Sequence, residues 1–200
     1  MRLADIAAPA TDATRLADEV ARKFASPALY GHSVRSYYWG AAYAAAHDAA
    51  FDAELLYVAA LLHDLGLAAP FDSHEAPFEV AGGAVAWVFC AGAGWPAARR
   101  QRVSDVIVKH MWESVDVHED PEGHLLEAGT SVDISGRGLP AIPIQLQREV
   151  AKIWPRGALA TEFANCFDRQ AARKPDSRAA AAVASGIRER LNANPLDAMP

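Results

Sequence analysis

The sequence predicts an all-α fold, a single-domain helical bundle. Three observations lead there. Alanine, the strongest helix former, dominates the composition. Apolar residues recur at helical spacing in segment after segment, and no stretch alternates apolar and polar residues as a half-buried strand does.

Thr11 or Asp12 caps a first helix running to about Phe24. "SPALYGH" breaks it, and Ser33 is placed to cap a second helix, in which Val34, Tyr38, Ala41, Ala42 and Ala45 share a face. Asp52 opens a third, with Leu55, Val58, Ala59, Leu62 and Leu65 on one stripe and Gly66 as its stop. "LAAPFDSH" reads as a loop. The next helix carries Gly82–Gly83, a pair that weakens a helix and points to close packing. Pro96 starts a helix ending near His110, and a polar stretch leads to a shorter one ending at Gly136. "RGLPAIP" links to "IQLQREVAKIW" and "ALATEFANCFDRQAARK". A last helix, "RAAAAVASGIRERLN", precedes a Pro-containing tail expected to be mobile. The expected organisation is an N-terminal helix over 1–25 packing on the core, a catalytic domain over 26–180, and a C-terminal helix and tail over 181–200.

At 200 residues and 52% hydrophobic, the chain can bury one sizeable core. A net charge of -6 argues against nucleic acid or an anionic membrane as partner. No segment reaches the roughly 20 apolar residues of a membrane span, and the N-terminus lacks the apolar core of a signal peptide. Cys90 and Cys166 form neither a disulfide framework nor a CxxC site. A cytoplasmic protein with a small-molecule substrate is expected, and an alanine-rich surface with several tryptophans is compatible with a homodimer.

Residues 61–66, "LLHDLG", set His63 and Asp64 at the end of an apolar run. Such a pair is costly to bury unless an ion pair, a hydrogen bond or a metal compensates it. His32 precedes one expected helix and Asp133 closes another, so three helix ends can converge on one point, as in metal-bearing bundles. Imidazole plus carboxylate suits Zn, Mn, Fe or Ni better than Ca or Mg.

His32, then His63–Asp64, then Asp133, in that order, resembles the metal-binding signature of the HD-domain superfamily, which is all-helical and consists mostly of metal-dependent hydrolases. "GHSVRSYYWG", "LLHDLGL", "PFEVAGGAVA", "VIVKHMW", "LLEAGTSVDISG", "WPRGAL" and "ARKPDS" are together similar to its cyanamide hydratase-like branch, from about residue 26 to 180. The resemblance implies one divalent transition metal, zinc foremost with Fe, Mn or Ni as alternatives, held by His32, His63, Asp64 and Asp133. It implies a lyase that adds water to a cyanamide or nitrile-type substrate, with an HD-type phosphohydrolase or nucleotidase as the alternative. His110 is then a candidate general acid, substrate contact or ligand of a second metal. Glu79 could orient the attacking water or hold Arg35 in place. His74 is a further catalytic candidate, expected to line or cover the pocket. Arg35 and Lys109 are candidate anion partners or supports of the ligands, and Phe78 is grouped with them. His118 and His124 are expected in a polar, solvated loop and His47 on the surface.

Overall fold

The computed structural model describes residues 1–199, and among these it holds ten α-helices and no strand. They are α1 (Asp12–Phe24), α2 (Pro27–Ala46), α3 (Ala53–Leu62), α4 (Phe78–Gly92), α5 (Ala97–Lys109), α6 (Pro121–Ser135), α7 (Ile144–Ile153), α8 (Leu159–Arg173), α9 (Arg178–Ala184) and α10 (Ile187–Asn192). The all-α expectation therefore holds. Caps fall where short polar side chains precede apolar periodicity: Thr11 Oγ1 accepts from Thr14 N–H at 3.2 Å, and Asp52 Oδ1 accepts from Leu55 N–H at 3.0 Å. Gly136, at φ +75°, ends α6 in the left-handed conformation that a side chain disfavours.

Three local expectations are corrected. Ser26, not Ser33, caps α2: its Oγ accepts from Leu29 N–H at 3.2 Å, and Pro27 supplies a first helical residue with no N–H to satisfy. His32 consequently sits inside a helix rather than ahead of one. The last predicted helix is two, divided at Gly186 with φ +80°. The tail is packed rather than mobile. Asn194 Nδ2 donates to the carbonyls of Val132 and Asp133 at 3.1 and 2.9 Å, and Leu196 is buried. The tail thereby satisfies carbonyls that the end of α6 leaves open.

Two helix crossings bring the buried polar side chains together. α2 is buried along most of its length and runs against α6 with almost no gap between backbones. A Cβ on Gly129 would overlap the Ser36 carbonyl oxygen, and one on Gly40 would lie 2.6 Å from the Leu125 carbonyl oxygen. One turn further along each helix, this closeness sets Asp133 opposite His32 and Arg35. At the second crossing, a Cβ on Gly66 would overlap the Phe78 carbonyl, and one on Gly82 would lie 2.6 Å from the His63 carbonyl oxygen. The start of α4 is thereby drawn onto the His63–Asp64 corner. Overpacking typically costs 1–3 kcal/mol, and here the obstacle is backbone. Gly129→Ala is expected to lose at least about 2 kcal/mol, read from the midpoint of urea unfolding.

The apolar side chains form two cores. One joins α1 to α7 around Trp39, Leu56, Leu62, Ile107 and Leu125. The other gathers Phe78, Leu159, Phe163 and Phe167 beneath α9 and α10. The histidine cluster lies where the two meet.

Candidate metal centre

His63 closes α3 as its C-cap, and Asp64 comes next, before a short 3-10 turn at Leu65–Leu67. His32 comes from the second turn of α2 and His110 from the C-cap of α5. All four side chains are withdrawn from solvent. Each imidazole is fixed from behind through Nδ1. His63 Nδ1 lies 2.7 Å from the Ala60 carbonyl, His32 Nδ1 lies 2.8 Å from Asp133 Oδ2, and His110 Nδ1 meets the Ile107 carbonyl. A carbonyl or carboxylate oxygen only accepts, so each Nδ1 carries the hydrogen and each Nε2 of a neutral ring presents a lone pair.

Those lone pairs face one another. His32 and His63 Nε2 are 3.2 Å apart. Asp64 Oδ2 lies 3.4 Å from His32 Nε2 and 3.1 Å from His63 Nε2, and Asp64 Oδ1 lies 3.9 Å from His110 Nε2. Neither oxygen of Asp64 has a hydrogen-bond partner, although the side chain is fully buried. Acceptors converging on acceptors in a dry interior repel unless something positive lies between them. One donor atom each from His32, His63 and Asp64 falls within 4.8 Å of the others, a spacing a single cation can share.

The protonation pattern answers the same need. Burial opposes a charge on His63, but the adjacent Asp64 outweighs it and raises the imidazole's pKa. Burial likewise works against the Asp64 carboxylate, yet His63 draws its pKa down to about 2. Burial lowers His32 despite its bond to Asp133, and lowers His110 to about 3 with help from the charge on His63. Burial thus favours the neutral, ligating form of His32 and His110, while the neighbouring Asp64 favours a positive charge at His63.

Asp133 stands one hydrogen bond further out. Its Oδ1 accepts from Arg35 Nε at 2.7 Å and Trp39 Nε1 at 3.0 Å, and its Oδ2 accepts from Arg35 Nη2 and His32 Nδ1, both at 2.8 Å. With all these directions taken, the carboxylate grips His32 from behind and lies outside the group formed by His32, His63 and Asp64. Burial acts against its charge, but the Arg35 guanidinium overrides it and keeps the carboxyl ionised far below the usual range. Arg35 is itself fully buried and spends Nη1 on the carbonyls of Trp154 and Pro155, at 3.1 and 3.2 Å. With four of its five N–H donors engaged and the side chain off the cavity wall, it supports Asp133 rather than meeting an anion.

The remaining sequence candidates divide. Glu79 lies in the first turn of α4, buried, with Oε2 unpartnered and its pKa raised by burial. It does not pair with Arg35. Phe78 is fully buried against the cluster, its ring centroid 5.8 Å from that of His110. His74 is exposed in a bend and does not line the pocket over the cluster. His124 donates Nδ1–H to the Val115 carbonyl at 2.7 Å, and His47 stacks on Tyr43. Lys109 turns away to Asp120, with Nζ 2.6 Å from Oδ2.

The Asp120 pair has a testable consequence. Burial works against the Asp120 charge, but Lys109 and Arg102 outweigh it and lower the pKa. A depressed carboxyl stabilises the fold above its unfolded value and loses that contribution as pH falls through the folded one. Lys109→Met should therefore cost about 1 kcal/mol near pH 7, the scale of an ion pair still partly open to solvent on its lysine side. The difference from wild type should shrink in urea titrations as the pH falls below the ordinary carboxylate range and through the lowered Asp120 pKa, and bound metal should be unaffected at neutral pH.

Above the cluster opens a cavity of about 580 Å³. His32, His63 and His110 reach its floor, and Phe163, Phe167 and Ile134 line its walls. The Phe163 ring meets His32 edge-on at 5.4 Å and stacks on Phe167 at 4.6 Å. Its three arginines, Arg137, Arg178 and Arg190, are all exposed and so stand at the mouth. Sequence reasoning missed this wall, because α8, α9 and α10 lie far along the chain from "LLHDLG" and no motif marks them.

Residues 29–86, fewer than half of the chain, match the HD domain. The matched segment contains His32, His63 and Asp64, while His110 and Asp133 lie beyond it. No curated protein matches the chain. The HD-domain match thus covers the three residues, His32, His63 and Asp64, whose donor atoms lie close enough together to hold a metal ion.

Proposed function

We propose that the chain is a metal-dependent hydratase, with zinc as its metal, adding water to a small neutral electrophilic carbon of nitrile type. The observation that carries this reading is the floor of the cavity. There three Nε2 lone pairs and an unpartnered carboxylate converge beside aromatic rings rather than beside free cations. When bound, a divalent ion supplies Lewis acidity and brings the pKa of water from 15.7 toward about 7.

The protein's own contributions are orientation, exclusion of water and proton supply. His32, His63 and Asp64 would hold the ion, with His110 facing them across Asp64. The Ala60 and Ile107 carbonyls and the Asp133 carboxylate fix which nitrogen of each ring faces inward. Phe163 and Phe78 cover the flanks of His32 and His110, keeping the floor dry and its electrostatics strong. Glu79, buried with Oε2 unpartnered, retains a proton more readily than an exposed glutamate, but it does not line the cavity, so any proton it supplies to the substrate nitrogen must pass through a ring of the cluster or a water.

A phosphohydrolase would need cationic side chains close to the reacting phosphate. Arg35 is committed to Asp133 and Lys109 to Asp120, and the arginines of the pocket are exposed ones at its mouth. This supports a neutral reacting group at the floor. The test is a parallel assay of metal-loaded protein with cyanamide, benzonitrile and a nucleoside monophosphate. Urea or benzamide formation that stops on chelation is expected. Phosphate release without hydration would replace this reading with the phosphohydrolase.

A further inference from the structure

The cavity over the cluster is far larger than a three-heavy-atom nitrile such as cyanamide requires. At about 580 Å³ it falls among pockets that enclose ligands of drug-like size. Its surfaces are also zoned. Deep in the pocket, Phe163 stacks on Phe167, with Ile134 and Ile187 beside them. At the rim stands Trp112, 40% exposed, a large aromatic surface left in water.

The charges at the mouth do not cancel. Arg137 is paired with Glu127. Arg178 and Arg190 have no carboxylate within ion-pair distance among the described residues. Arg178 Nη1 rests on the Met111 carbonyl at 3.3 Å and Arg190 Nη2 on Ser185 Oγ at 3.1 Å. Glu113 is the acidic side chain on this rim without a basic partner, so the two arginines leave it net positive. Such a rim on a chain of net charge -6 is a local feature, not an overflow of general basicity. The Arg178 guanidinium also lies 5.9 Å from the Trp112 ring centroid, which brings apolar surface and positive charge together.

We propose that the substrate is an amphipathic anion, with its reacting carbon at the histidine floor, an apolar body along Phe163, Phe167 and Trp112, and a terminal carboxylate or phosphate held by Arg178 and Arg190. The assignment of the reacting end rests on the proposed metal centre. The assignment of the anionic end rests on the rim alone. The guanidinium fork fits both head groups and rewards geometry as well as charge.

The test measures binding of 4-phenylbutanoate, 3-phenylpropyl phosphate and the neutral 4-phenylbutanamide by calorimetry. Each is titrated into metal-loaded wild type, chelator-treated wild type and an Arg178→Gln/Arg190→Gln variant, with circular dichroism confirming the fold. At least one anion should bind about tenfold tighter than the amide, equivalent to 1.4 kcal/mol. The preference should survive chelation and disappear in the double variant, and the two head groups show which anion is read. Equal binding of anions and amide would overturn the proposal. So would a preference that persists in the double variant and disappears on chelation, because the anion would then be sitting on the metal. Metal content measured on the same samples keeps the two readings apart. A metal-free wild type that still prefers anions removes the hydratase reading and leaves the rim assignment standing.

Discussion

Asp133→Ala is expected to lose about 3–5 kcal/mol of stability, the cost of breaking a buried ion pair by removing one partner. Arg35 is fully buried, and Asp133 takes the hydrogen bonds of its Nε and Nη2. Without the carboxylate, that guanidinium keeps only the Trp154 and Pro155 carbonyls, and its charge is uncompensated in the interior. Trp39 Nε1 and His32 Nδ1 lose their acceptor in the same change. Domains typically have only 5–15 kcal/mol in total, so the variant should unfold at much lower urea. The companion Arg35→Met/Asp133→Leu variant should recover most of the loss, because an apolar replacement of both partners leaves no charge stranded. A single-variant loss under about 1 kcal/mol, measured in the same titration, would contradict the pairing.

Metal binding should respond to Asp133 in a graded way. A group that only orients a ligand typically contributes 10–100-fold to metal affinity. An Asp133→Asn protein that folds should therefore bind its ion more weakly, yet still bind it.

His63→Ala should differ in kind: turnover should be lost completely because a metal donor is gone, while the fold weakens because the buried Asp64 carboxylate loses its nearest partner. The ring makes one backbone hydrogen bond, to Ala60, and its Nε2 faces only acceptors. Removing it abolishes one of the three closest donors and leaves Asp64 without its nearest cationic partner. Hydration of the nitrile should fall to the rate of the metal-stripped enzyme. Addition of imidazole, which can enter the truncated side chain's space, should restore part of it. Wild-type turnover in His63→Ala would show that the chemistry lies elsewhere.

These two variants also mark how far the site could be read from the sequence. His63 and Asp64 were legible because their surroundings were apolar: "LLYVAALL" ahead of them leaves little reason for a buried polar pair except a ligand. His32 and Asp133 were legible as members of the cluster, but not for the way they meet. No local pattern signals that Gly40 and Gly129 let α2 and α6 touch, and that contact stacks Asp133, His32 and Asp64 in a line instead of a ring. Arg35 read as a possible anion partner because its acceptors, Asp133 and the Trp154 and Pro155 carbonyls, lie about a hundred or more residues away. His74 illustrates the opposite error, proximity along the chain to Phe78 and Glu79 without proximity in space.

The fold was more legible than the site, for a physical reason. Caps, helical periodicity and glycine stops act within one turn of the chain, and Thr11, Asp52 and Gly136 act as local rules require. The first turns of α2 lie within "SPALYGH", a stretch whose Pro27 and Gly31 give it the composition of a break. Inside the helix, Gly31 lies against the Arg35 guanidinium, where a Cβ would come within 2.8 Å of Nη1. The packed tail depends on Asn194 meeting carbonyls sixty residues earlier, a contact that local pattern does not encode.

The central claim is that His32, His63 and Asp64 hold a divalent ion, and elemental analysis of purified wild-type and His63→Ala protein tests it most directly. About one equivalent of a transition metal is expected in the wild type and essentially none in the folded variant. A folded wild type that hydrates its substrate without metal, or a variant that retains the full equivalent, would contradict it.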